Sequence, residues 1–210
     1  IDLFQTSRPF YSDAFNNASL AGFWTGADIS MALPGSEVEG TSLVMTADGA
    51  DVYGTADEIR FLYQNYCGDI NVTLKVNYVP DNHIYSKGGL MLRKSLATDS
   101  AVFGITATNS DGFEMIWRAN DGDSITWPTT LIGAGTWNNN PLSPAPAWVR
   151  LQRVANNFSA YYSNDGSTWN QIDATKSLPL LPSCLMVGIF TVSHVSGTQG
   201  TASYSDFTCN

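Results

Sequence analysis

Hydrolysis of a polysaccharide needs two carboxylates flanking the scissile bond. The chain offers Glu37-Val-Glu39, two acids on one strand face beside a Pro-Gly turn, and Asp57-Glu58, which alternate to opposite faces. No third acid joins the first pair. These acids read as solvated carboxylates on an acidic surface, and no catalytic residue is assigned. His83 and His194 are the only histidines, and neither has a Cys or His partner at metal spacing, so no zinc site is expected. Neither a Gly-x-Ser-x-Gly elbow nor a phosphate loop occurs. The chain is therefore not expected to be an enzyme.

Calcium chemistry is the nearest alternative. Asp48-x-x-Asp51 and Asp121-Gly-Asp123 put hard oxygen ligands in turns, and Asp48, Asp51 and Asp57 are the candidate ligands. Neither pattern matches a twelve-residue calcium loop, and hairpin chemistry alone explains both. No other cofactor is expected. Sugar binding calls instead for exposed aromatic platforms beside hydrogen-bonding groups. Trp127 and Trp137, in an Asn-rich stretch, are the candidates; the alternative is that they pin their own loop. Trp24, Trp117, Trp148 and Trp169 fall within or beside strand patterns and read as core. Lys87, Arg93 and Arg118 sit in otherwise apolar strands, where a charge normally has a partner.

The elements that must position these residues are strands. "EIRFLYQ", "INVTLKVNYV", "WVRLQRV" and "FSAYYS" alternate with a period of two, as half-buried strands do. No sustained i, i+3, i+4 stripe is present, so almost no helix is expected. Asp-Gly turns at 47–51, 119–124 and 163–168 punctuate the strands, since Gly there tolerates positive φ. The spacing predicts an antiparallel β-sandwich. Residues 127–146 hold four prolines and read as a surface loop or a flap over one sheet.

Length and charge set further bounds. At 210 residues the chain is read as a single sandwich over 12–210, preceded by an extended arm over 1–11. Its net charge of −9 and scattered cations argue against a nucleic-acid partner. Its longest apolar run, "LMVGIF", is strand length, so no membrane insertion is expected. Low charge content, the Gly, Ser, Thr and Asn richness and an amino terminus without Met suggest a secreted chain, extracellular or at the cell surface. Sequons at Asn17, Asn71 and Asn157 are candidate glycosylation sites; Asn71 lies opposite the apolar face of Ile70, Val72, Leu74 and Val76. Of three cysteines, Cys184 and Cys209 flank a turn-rich stretch as if on one hairpin, so a Cys184–Cys209 disulfide is expected. Cys67–Cys209 is the runner-up, and three reduced thiols the remaining alternative.

The segments "GADVYGTADEIRFLYQNYCGDINVTLKV" and "YSKGGLMLRKS", with Trp148–Leu151, Asp165–Trp169 and Ser205–Phe207, resemble a bacterial group of concanavalin A-like domains of unknown function. That group is related to laminin-G-like and β-xylosidase C-terminal modules. The resemblance covers roughly residues 20–208. It implies a concanavalin A-like antiparallel β-sandwich, or jelly roll, and makes Lys87 and Arg93 structural, pairing with Asp51 or Asp57. The Glu-x-Asp-x-x-Glu spacing of related β-glucanases is missing.

The apolar leader carries Ile1, Leu3, Phe4, Phe10 and Tyr11. Arg8-Pro9 holds it extended. Such an arm either folds back on its own sandwich or adds a strand to a neighbour, which propagates into filaments. The reading that follows is a non-catalytic extracellular structural module that self-associates through this arm. The alternative is a carbohydrate-binding or adhesive module, with glycans as partners.

Overall fold

A computed structural model of the chain describes residues 9–109, 112–128 and 146–210. Fifteen strands, numbered along the chain, make up the described residues' regular structure, and no helix is found among them. Six strands form one antiparallel sheet. In spatial order they are β1 (Thr25–Ile29), β6 (Ile59–Cys67), β14 (Cys184–Val192), β8 (Lys87–Arg93), β9 (Val102–Thr108) and β10 (Phe113–Arg118). Seven form the other, in the order β13 (Asn170–Ser177), β12 (Asn157–Ser163), β11 (Ala147–Val154), β7 (Ile70–Tyr78), β15 (Gly200–Cys209), β3 (Leu43–Ala47) and β2 (Ser36–Glu39). A short hairpin of β4 (Val52–Tyr53) and β5 (Ala56–Asp57) stands apart from both. The expected antiparallel sandwich is thus the observed one.

The period-two pattern does what a half-buried strand requires. On β7, Ile70, Val72, Leu74 and Val76 are buried while Asn71, Thr73, Lys75 and Asn77 are half-exposed. Their inner row packs with Leu90, Leu92, Phe103, Ile105 and Ile189 of the facing sheet in the main core. Strands β8 and β9 differ: all seven residues of each are buried. A second apolar cluster covers the outer face of their sheet, joining Met91, Val102, Ile116 and Phe190 to Val52 and Ile125 from outside it. Loop segments therefore roof the six-stranded sheet, and the recess described below lies under that roof.

The disulfide is a correction. Cys67 on β6 and Cys184 on β14 are register partners in adjacent antiparallel strands, and they are bonded, with an S–S distance of 2.04 Å. The expected Cys184–Cys209 bridge assumed a β14–β15 hairpin, but these strands belong to different sheets. "SHVSGTQGT" is a crossover between layers. Cys209 keeps a free thiol, 3.4 Å from Ser12 Oγ.

Part of the arm is described. Phe10 packs against Tyr66 and Phe207 of the same chain, with ring centroids 5.1 and 5.8 Å away. Tyr11 stacks on Phe23, donates its backbone N–H to Gln64 Oε1 at 3.0 Å and accepts from Gln64 Nε2 at 2.8 Å. Asp13 then pairs with Phe207 backbone to backbone. Phe10 and Tyr11 thus find both apolar and hydrogen-bonding partners on their own sandwich. Ile1, Leu3 and Phe4 lie outside the described residues.

Candidate functional site

A recess of about 270 Å³ opens on the outer face of the six-stranded sheet. Its floor comes from Lys87 at the start of β8 and from Glu114 and Ile116 on β10. Asp51, Val52 and Tyr53, leading into the β4–β5 hairpin, form one wall; Tyr85 and Trp127 complete the rim.

Local sequence explains the hairpin. Gly49 has φ +109°, and a Cβ there would lie 2.1 Å from the Glu58 carbonyl oxygen, so only Gly lets the two ends of the loop close. Gly54, at φ +54°, turns the tip. The hairpin is then fastened to the sheet by charge. Asp57, fully buried, meets the fully buried guanidinium groups of Arg93 and Arg118. Arg118 donates to Asp57 Oδ1 at 2.9 Å, to the Gly54 carbonyl at 3.1 Å and to the Ser100 carbonyl at 2.9 Å. The Ile125 N–H also reaches the Gly54 carbonyl, at 2.7 Å, and Trp117 bridges to Thr126. These bonds bring Trp127 beside Tyr53, and the two rings stack with centroids 5.4 Å apart and planes 27° apart. Tyr53 stays 60% exposed, while Trp127 is half-buried against the second apolar cluster.

The polar half of the recess centres on Lys87. Its ammonium, 6% exposed as a residue, lies 3.0 Å from Asp51 Oδ1 and 3.2 Å from Glu114 Oε2. Burial would lower its pKa, but the Glu114 and Asp51 charges outweigh it and hold the ammonium above its ordinary value. The other Asp51 oxygen is 3.5 Å from His194 Nδ1. His194 stacks on His83 at 4.5 Å and meets the edge of Tyr85 at 5.7 Å. Burial pulls the His194 pKa below its ordinary value; Lys87 and His83 add to this, against the pull of Asp51.

Several expected residues therefore meet here. Trp127 lines the recess; Trp137 lies outside the described residues. The pairings of Lys87 with Asp51 and of Arg93 with Asp57 are present. The calcium candidates carry other partners: Asp51 has Lys87, Asp57 has two guanidinium groups, and Asp48 accepts the N–H groups of Leu33 and Gly197. No group of three or more possible metal ligands occurs among the described residues. The Glu37-Val-Glu39 pair is not solvated as expected. Arg60 grips Glu37 at 2.6 and 2.7 Å, and Glu39 is buried and accepts the Asn17 N–H. Asn17 and Asn157 are exposed and Asn71 is half-buried. Sequence reasoning passed over Tyr53, Tyr85 and Glu114. Tyr53 lies within the Gly49–Gly54 motif, which was the available signal; Glu114 is one acid in an apolar strand and gave none until β8 was placed beside it through β9.

The sandwich is similar to solved structures of carbohydrate-active proteins. A xylan β-1,4-xylosidase from Bacillus halodurans matches with a TM-score of 0.68 at 16% identity, over 99% of this chain and 41% of that one. Carbohydrate-binding module CBM66 from Bacillus subtilis matches with a TM-score of 0.55 at 14% identity, over 96% and 99% of the two chains. The fold is a concanavalin A-like sandwich. The exoplasmic/lumenal domain of VIP36, solved bound to Ca²⁺ and Man3GlcNAc, matches with a TM-score of 0.56 at 8% identity, over 96% of this chain and 90% of that one. The chain spans only about two fifths of the xylosidase, and these identities speak for the fold alone. No family model and no curated sequence matches the chain.

Proposed function

We propose that this chain is a non-catalytic carbohydrate-binding module whose ligand enters the Lys87–Trp127 recess. The observation that carries the reading is the junction of two surfaces in one cavity: the partly exposed Tyr53–Trp127 stack and the Asp51–Lys87–Glu114 charge cluster. A sugar presents an apolar ring face and a polar edge, and needs both. Sandwiches similar to this one include a carbohydrate-binding module and a glycan-bound lumenal domain, which supports the reading. The carboxylates of Asp51 and Glu114 both face one ammonium. A hydrolase instead needs its two carboxyl groups to face each other across the glycosidic bond. The Cys67–Cys184 disulfide supports an exported, oxidised setting.

A glycan array with wild-type protein and the Trp127→Ala and Tyr53→Ala variants tests the proposal. Truncating an aromatic anchor costs more than about 1.4 kcal/mol, or roughly tenfold in affinity. Equal binding by wild type and both variants, or no glycan bound by any of them, would reject it.

A further inference from the structure

The basic residues of this acidic chain are not used alike. Arg60, Lys87, Arg93, Lys94, Arg118 and Lys176 each meet a carboxylate. Arg153 donates to the carbonyls of Ala155, Pro182 and Ser183. Among the described residues, only Lys75 and Arg150 have neither kind of partner, and the buried Nε of Arg150 has no hydrogen bond at all. Burial, partly offset by Tyr161, lowers the Arg150 pKa.

These two cations are neighbours. Lys75 on β7 is the register partner of Trp148, and Thr73 that of Arg150, which makes Lys75 and Arg150 a diagonal pair roughly 7 Å apart. Both point away from the core, because Leu74, Val76, Val149 and Leu151 take the inward positions. Each lies on a tryptophan: Lys75 Nζ is 4.9 Å from the Trp148 ring centroid, and Arg150 Cζ is 3.7 Å from that of Trp169. Sequence pattern put both tryptophans in the core, yet they are half-exposed on the outer face of the seven-stranded sheet. A guanidinium stacked at that distance leaves its in-plane N–H groups clear of the ring face, and such a planar fork binds a carboxylate in bidentate fashion. The stacking also fixes both cations before a ligand arrives, which reduces the ordering cost of binding.

We propose that this face, on the opposite sheet from the recess, is a second binding surface for a polysaccharide bearing uronic-acid carboxylates. Arg150 takes one carboxylate through its fork and Lys75 takes a neighbouring one, while Gln152 and Tyr161 beside them offer polar groups to the hydroxyls. The net charge of −9 does not forbid this. At physiological ionic strength, charges more than about 8 Å away are largely screened. Asp165, in the turn whose Gly166 packs on Trp148, is already engaged by the N–H groups of Ser167 and Thr168 and the Ser163 hydroxyl.

Affinity electrophoresis through polygalacturonate is the test. Wild-type protein is retarded at low salt and released at high salt. Arg150→Ala and Lys75→Ala each weaken binding by about tenfold or more, and Arg150→Lys less so. In parallel, polygalacturonate shifts the indole N–H resonances of Trp148 and Trp169 in the wild-type protein, a reading that depends on no variant. Three results would overturn the proposal: no retardation of the wild type, retardation that survives the Lys75→Ala/Arg150→Ala double variant, or dextran sulfate held as tightly as polygalacturonate. The last would mark a general attraction for polyanions.

Discussion

Asp57→Asn should be the most damaging conservative change in this chain. The substitution keeps the volume of the side chain and removes one negative charge from a site with no exposure. Arg93 and Arg118 then lose the one carboxylate that both of them contact. Breaking a buried ion pair by removing one partner costs about 3–5 kcal/mol. The guanidinium groups keep other acceptors, among them the carbonyls of Ser95, Ser100 and Asp123, so the lower half of that range is expected. For a chain of this size, about 3 kcal/mol lowers the Tm by roughly 6–12 °C. Urea unfolding of the wild type, Asp57→Asn, Arg93→Met and the double variant would measure the loss and the coupling between the two sites. The double variant should be less destabilised than the sum of the singles, because it removes one stranded charge. Because Asp57 also anchors the hairpin that carries Tyr53, Asp57→Asn should weaken glycan binding without lining the recess. A loss below about 1 kcal/mol, or strictly additive variants, would refute the view that charge fastens the hairpin.

Three further outcomes are expected. Before reduction, iodoacetamide should label Cys209 alone; after reduction it should label all three cysteines. Removing the Cys67–Cys184 bond, which closes a sequence separation of 117 residues, should cost up to about 5 kcal/mol by loop-closure entropy, read as a lower urea midpoint. His194 gives a pH dependence. Its folded pKa is depressed, so the unfolded chain takes up the proton first as the pH falls. Its contribution to stability is whole above the unfolded value near 6.5, is lost as the pH falls from there through the folded pKa, and then levels off. His194→Gln should flatten that part of the stability profile; an unchanged profile would remove His194 as its source.

The fold was legible because its signals are local. Alternation along 70–79 gives one buried and one half-exposed row, as β7 shows. The three Asp-Gly turns place Gly49, Gly122 and Gly166 at φ values of +109°, +80° and +73°. What stayed hidden is the lateral order of the strands. Neither Cys67 nor Cys184 carries a signal that β6 and β14 are neighbours, and without that fact the flanking position of Cys209 was the more persuasive clue. The recess was half legible for the same reason. Asp51, Lys87 and Trp127 stood out by type and context, but Tyr53, Tyr85 and Glu114 join them only when a hairpin folds over a sheet already roofed by apolar side chains. Trp148 and Trp169 misled because a tryptophan covered by a cation on a sheet surface has the same strand pattern as one in the core.

The chain has six tryptophans, so the indole region of a ¹H–¹⁵N spectrum separates the surfaces at issue. Titration with the tightest glycan from the array should move the Trp127 indole N–H progressively and leave Trp24, buried in the main core, in place. A glycan that binds while the Trp127 resonance stays fixed would contradict the central claim that the recess is the sugar site.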